Sequence, residues 1–140
     1  MTENFKVISS FIKDMSSETP DAQTFIFVKD KISKYRLNID INSRAVKNGI
    51  IEVDTILKFT DQPEVLKKSH FEITYASIVK INEKVSDKKE MEKIILCDVP
   101  NKIYPDLERI FLNLLTDSGY PGIKFEKKIN FTELYKQRTN

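Results

Sequence analysis

From Tyr35 to Asn42 apolar and polar residues alternate without a break, with Tyr35, Leu37, Ile39 and Ile41 set against Arg36, Asn38, Asp40 and Asn42. A period of two places successive side chains on opposite faces, so this segment buries its apolar set as a β-strand with one dry and one wet side. The pattern returns twice. Ile51, Val53, Leu57 and Phe59 stand opposite Glu52, Asp54 and Lys58, and Phe71, Ile73, Tyr75 and Val79 repeat the alternation. Phe5 to Met15 forms a fourth predicted strand, with Phe5, Val7 and Phe11 on one side and Ile8 and Ile12 on the other. Lys47-Asn48-Gly49 and Thr60-Asp61-Gln62-Pro63 carry turn chemistry and are short enough to join antiparallel neighbours. The link from Ser16 to Lys34 is longer and holds Pro20 and the apolar patch Phe25-Ile26-Phe27-Val28, so it reads as a crossover with something to bury. Long links in compact domains are often functional.

After Ile81 the apolar spacing becomes helical. It predicts a helix from Asp87 to Cys97, capped by Ser86, with Met91, Ile94 and Ile95 inward and Pro100 as its stop. A second helix is predicted from Pro105 to Asp117, with Gly119 as its C-terminal cap and Pro121 beyond it. Asn130-Phe131-Thr132-Glu133 reads as a capping box opening a short third helix. Strands first and helices after them predict an α+β fold: a four-stranded antiparallel sheet followed by two or three helices, in one domain over residues 1–140. A chain of 140 residues hides about two thirds of its unfolded surface, enough for a core without metal or disulfide. The long helix carries Leu107, Ile110, Phe111, Leu112, Leu114 and Leu115. This set covers more than the roughly 100° stripe that one buried face needs. Two covers would serve the second face: another subunit, which makes these residues an expected oligomer interface, or a terminal segment of the same chain.

Elimination narrows the function. Cys97 is the one cysteine, so no internal disulfide forms; a reducing compartment is expected, and on a core helix this thiol reads as a small buried hydrophobe. One His and one Cys far apart in sequence do not make a nucleophile and its base. No Cys-x-x-Cys, His pair or calcium-type loop occurs, and three glycines leave no phosphate-cradling loop, so no metal or cofactor is expected. The net charge of +2 is spread over scattered lysines with no Arg-rich stripe, which argues against a nucleic-acid partner. No apolar run reaches the roughly 20 residues of a membrane span, and Met1-Thr2-Glu3-Asn4 lacks the opening of a signal peptide, so a soluble cytoplasmic protein is expected. A binding protein is what remains.

Four local patterns narrow this further. Phe5-Lys6-Val7-Ile8 precedes Lys13-Asp14-Met15-Ser16-Ser17-Glu18-Thr19-Pro20-Asp21-Ala22; Phe71-Glu72-Ile73-Thr74-Tyr75-Ala76 follows later. Then come Val99-Pro100-Asn101-Lys102-Ile103-Tyr104-Pro105, and Tyr120-Pro121 with Ile129-Asn130-Phe131-x-x-Leu134-Tyr135. In that order and spacing they resemble the SecB family of bacterial protein-export chaperones over nearly the whole chain. The resemblance implies a homotetramer, a dimer of dimers with its long helices sandwiched between sheets. It also implies a protein that holds unfolded preproteins and passes them to the SecA motor, without hydrolysing nucleotide. An apolar groove for unfolded clients is expected at Phe25, Phe27, Tyr35, Leu37, Ile39 and Tyr104, and the family's SecA-facing acidic surface corresponds to Asp14, Glu18 and Glu72.

The chain departs from the family pattern at His70, at Lys31 in place of a tryptophan, at Glu108-Arg109 with its order reversed, at Lys128 in place of a proline, and in lacking an acidic tail after Asn140. Its pI of about 8.5 is also unusual among mostly acidic relatives. Within the same family, a chaperone dedicated to a toxin-antitoxin pair is the alternative. A small α+β enzyme of thioesterase type, for which His70 is the one obvious catalytic group, is a remote one.

Overall fold

The computed structural model describes residues 4–125 and 129–139, so Lys128 lies outside the described residues. Strands β1 (Phe5–Glu18), β2 (Arg36–Lys47), β3 (Ile50–Thr60) and β4 (His70–Ile81) form one antiparallel sheet in the order β1-β4-β3-β2. The predicted α+β architecture is the one observed. Because β1 and β2 are the two edges, the chain between them must cross the whole end of the sheet. It does so through helix α1 (Ala22–Lys29) and a short 3-10 turn, Ile32–Lys34. Asp21 caps α1 by accepting from the Thr24 N–H at 2.7 Å, and hydrogen bonds from Thr24 hold its carboxyl below the ordinary range.

Residues of odd number on β3 and β4, among them Val53, Leu57, Phe59, Phe71, Ile73 and Val79, face the helices and are buried. Even-numbered neighbours form the opposite, open face. Strand β1 departs from the predicted sides. Its register to β4 slips between Val7 and Ser9 and again between Ile12 and Asp14, leaving Ile8 and Lys13 as extra residues of two bulges. Each extra residue reverses the alternation, so Ile12 joins Phe5 and Val7 on the helix side, while Phe11 pairs with Ala76 on the open face.

The helical part also differs. Helix α2 (Lys88–Lys93) is capped by Asp87 rather than Ser86, and Pro100 does not stop it. The backbone widens into a π turn over Ile94–Asp98, in which the Val99 N–H reaches back to Ile94, and runs on into α3 (Val99–Asp117). Pro100 falls in the first turn of α3, where a missing N–H costs little. Pro105 lies inside the same helix; Asn101, whose carbonyl loses its donor, is exposed. Gly119 ends α3 with φ +101, and Asn130 opens α4 (Phe131–Thr139) by accepting from the Glu133 N–H at 3.1 Å.

The main core lies between β2–β4 and α3, closed by Tyr120, Phe125 and Phe131 from the C-terminal segment. A second cluster of Val53, Val79, Ile81, Ile94 and Val99 fills the hairpin end beneath the π turn. Aromatic rings run through the main core from Phe25 to Tyr120 at 5.1 Å, on to Phe71 at 5.7 Å and to Phe59 at 6.3 Å, with Phe111 edge-on to Phe59 at 6.4 Å.

Candidate functional site

The apolar crossover divides its side chains by helical geometry. Val28 points into the core, Phe25 packs on the Tyr120 ring and over Gly119, and Ile26 and Phe27 are left exposed, with the Lys31 ammonium 5.3 Å from the Phe27 ring centre. At its base sits a buried polar hub. The Ser69 N–H donates to Tyr35 Oη at 2.8 Å, Ser69 Oγ shares hydrogen bonds with Thr19 and Tyr120, and Thr60 donates to the Ser69 carbonyl. The crossover, the β3–β4 loop and the end of α3 are thereby tied together.

Six residues were expected to line a groove, and the structure divides them. Tyr35 and Tyr104 lie in the core of the single chain, each 8% exposed. Tyr35 is held by Ser69 and Phe59, and Tyr104 by the Phe131 ring at 5.5 Å. Burial raises the pKa of both hydroxyls; Glu108 adds to the effect at Tyr104, whose Oη has no hydrogen-bond partner among the described residues. Phe25, Leu37 and Ile39 are half-buried and Phe27 is exposed. Leu37, Ile39 and Ile41 point to the helix side of edge strand β2, opposite Phe59, Leu57 and Thr55.

Beside them opens a cleft of about 230 Å³ between β2 and α4, lined chiefly by Ile39, Ile41, Leu96, Phe131, Leu134 and Tyr135. Of these, the predicted set contained Ile39. The missing members left a signal: Phe131, Leu134 and Tyr135 recur at helical spacing, and Ile41 continues the alternation of β2. The β2 edge also presents unpaired backbone groups along this rim, because among the described residues no strand lies beyond it.

The acidic set comes together on the open face. Asp14, Ser16 and Glu18 pair with Thr74, Glu72 and His70, which puts the Asp14, Glu18 and Glu72 carboxylates on one side at one end of the β1–β4 ladder. His70 Nε2 lies 3.2 Å from Glu72 Oε1. Next to them is a mixed-charge knot. Lys13, aimed by its bulge, donates to Glu52 at 2.6 Å and Asp54 at 3.2 Å, and Arg44 Nη2 donates to Asp54 at 3.1 Å. Burial, then the neighbouring Glu52, raises the Asp54 pKa, while the Lys13 hydrogen bond lowers that of Glu52.

The expected oligomer face divides as well. Leu107, Phe111 and Leu115 are fully buried against the chain's own sheet, whereas Ile110, Leu112 and Leu114 are only partly covered. Along β1 four large apolar residues, Ile8, Phe11, Ile12 and Met15, are between 43% and 50% exposed.

Among the described residues no group of His, Cys, Asp and Glu is placed to hold a metal ion, and no helix is long and apolar enough to cross a membrane. A sheet with helices on one face, an apolar cleft beside a free strand edge and a charged open face define a small α+β binding domain. Residues 1–140 match the family described as SecB, preprotein translocase subunit SecB. The chain belongs to the SecB family, a family of protein-export chaperones. It is 86% identical over 140 residues to a SecB protein of Pelagibacter ubique (strain HTCC1062), covering all of both chains. It is 25% identical over 135 residues to the protein-export protein SecB of Parvibaculum lavamentivorans, covering 95% of this chain and 77% of that one. In three dimensions it is similar to a Mycobacterium tuberculosis SecB-like chaperone solved in complex with a ChAD peptide from an antitoxin. The TM-score is 0.64 at 11% identity, covering 89% of this chain and 91% of the other, a likeness of fold.

Proposed function

We propose that this chain is a cytoplasmic holding chaperone of protein export, which binds unfolded preproteins along the β2 rim and delivers them to SecA. The observation that carries this reading is the cleft between β2 and α4, apolar on its walls and bordered by an unpaired strand edge. An unfolded client offers the matching pair of features, exposed apolar side chains and unsatisfied backbone groups. Apolar contact is non-directional, so Leu37, Ile39, Ile41 and Leu134 accept many sequences, while hydrogen bonds to the β2 backbone require only an extended chain. Phe25 and Phe27 of the crossover extend the apolar surface at the start of β2.

The working form is a homotetramer, a dimer of dimers. Its contacts are the exposed β1 edge and the outward residues Ile110, Leu112 and Leu114 of α3; both surfaces leave apolar area in water in the single chain. Asp14, Glu18 and Glu72 receive SecA, where carboxylates on a flat face steer and orient a basic partner surface.

The test is suppression of aggregation of an unfolded preprotein, with SecA binding measured alongside. Phe25→Ala with Phe27→Ala, or Ile39→Ser with Leu134→Ser, should weaken holding while the native mass stays at four chains. Unchanged holding by both variants would remove the rim from the client site. A chain that retained an antitoxin and ignored preproteins and SecA would instead be the toxin-antitoxin type of chaperone.

A further inference from the structure

The strand registers arrange the open face in rows that cross the whole sheet, and the rows differ in charge. At one end Glu18, His70, Thr60 and Arg36 lie side by side, followed by Ser16, Glu72, Lys58 and Asn38 and then by Asp14, Thr74, Ile56 and Asp40. In the middle, Lys13 and Arg44 neutralise Glu52 and Asp54. At the far end the row is Lys6, Lys80, Ile50 and Lys47.

Lys6 is directly opposite Lys80, both are exposed, and none of the three lysines has an ion pair among the described residues. Like charges placed opposite one another in a ladder destabilise it. The row is therefore a cost to the isolated chain that an anionic surface would relieve. His70 to Lys80 on β4 spans roughly 33 Å at about 3.3 Å per residue, so the acidic and basic ends are far apart on one flat face.

We propose that the Lys6–Lys80–Lys47 row is a second docking contact of the open face, which takes carboxylates of the same folded protein that meets Asp14, Glu18 and Glu72. A membrane or a nucleic acid, anionic throughout, would be drawn to the lysines and repelled by the other end. A folded protein surface with basic and acidic groups set apart satisfies both ends at once and is fixed in orientation by them. The inference rests on the reading that this face receives SecA.

Isothermal titration of SecA at low ionic strength tests it with the assembled chain, Lys6→Glu/Lys80→Glu, and Asp14→Lys/Glu18→Lys. Each double variant should bind about tenfold more weakly, and the difference should shrink as salt is raised. The lysine variant should hold unfolded preprotein as the parent does and keep its circular dichroism. Should the glutamates disturb folding, Lys6→Gln/Lys80→Gln gives the same result at about threefold. If the parent binds SecA and the lysine variants bind it equally well or more tightly, the second contact is refuted and the functional reading stands. If the parent does not bind SecA at all, the functional reading fails and takes this inference with it.

Discussion

Gly119 offers a quantitative check on how the crossover is fixed. Its φ of +101 lies where only glycine is at ease, and a Cβ built there would stand 2.6 Å from Phe25 Cε1. Alanine at this position therefore has two costs. The backbone strain is about 1–2 kcal/mol for an L-residue in left-handed space. The Phe25 ring must also move, weakening its contact with Tyr120 at 5.1 Å, a pairing worth about 0.5–1.5 kcal/mol. Gly119→Ala should then destabilise by about 2–3 kcal/mol in urea unfolding at a fixed protomer concentration, since association contributes to apparent stability. The two costs separate in a double-mutant cycle. With Phe25→Ala already present the ring is gone and the strain remains, so Gly119→Ala should now cost only about 1–2 kcal/mol. A coupling of about 1 kcal/mol is expected. Additivity within about 0.3 kcal/mol would show that Phe25 does not press on the end of α3, and the account of the crossover would be wrong.

Tyr104→Phe removes a buried hydroxyl that has no partner among the described residues and should raise stability by about 1–2 kcal/mol, seen as a higher melting temperature; a lower one would reveal a partner for that hydroxyl. Asp54 has a folded pKa raised above its ordinary 3.8, so the folded state holds its proton longer and the contribution of Asp54 to stability declines as pH rises through that window. Asp54→Asn should accordingly gain on the parent as pH increases from about 4 toward neutrality, by chemical denaturation at each pH; a constant difference refutes the raised value. Leu112→Glu should lower the native mass without unfolding the chain, whereas Phe111→Ala should cost about 3–5 kcal/mol, because its ring is fully buried. A Leu112→Glu chain that stayed tetrameric would exclude the outer face of α3 from the interface.

The four strands were legible because period-two alternation is both a local signal and the rule by which a sheet buries one face. Two kinds of feature escaped it. The bulges at Ile8 and Lys13 depend on the partner strand, since only β4 determines which β1 residue is left over, and so Phe11 could not be assigned its side from β1 alone. The long continuous helix escaped because a proline ordinarily stops a helix; here a π turn over Ile94–Asp98 places Pro100 where no donor is required. The acidic set was legible from its motifs, and its convergence follows from register. The cleft was only partly legible, because Ile39 and Leu134 are 95 positions apart in sequence and meet through the return of the last helix to β2. Burial of Tyr35 and Tyr104 was equally hidden: an aromatic at the end of an alternating run, or in the first turns of a helix, looks the same whether the rest of the chain covers it or not.

The paired bulges of β1 set a rule for how the strand can change length. Lys6 near one end and Asp14 and Glu18 near the other share the open face because an even number of extra residues lies between them. Loss of Ile8 or Lys13 would only remove a bulge, leaving the same residues opposite β4 and the carboxylates on the open face, whereas loss of a paired residue with both bulges kept would turn everything beyond it over. The two bulges are thus the places where this strand can shorten without disturbing its charge pattern, which is kept by the partners on β4 and not by the length of β1.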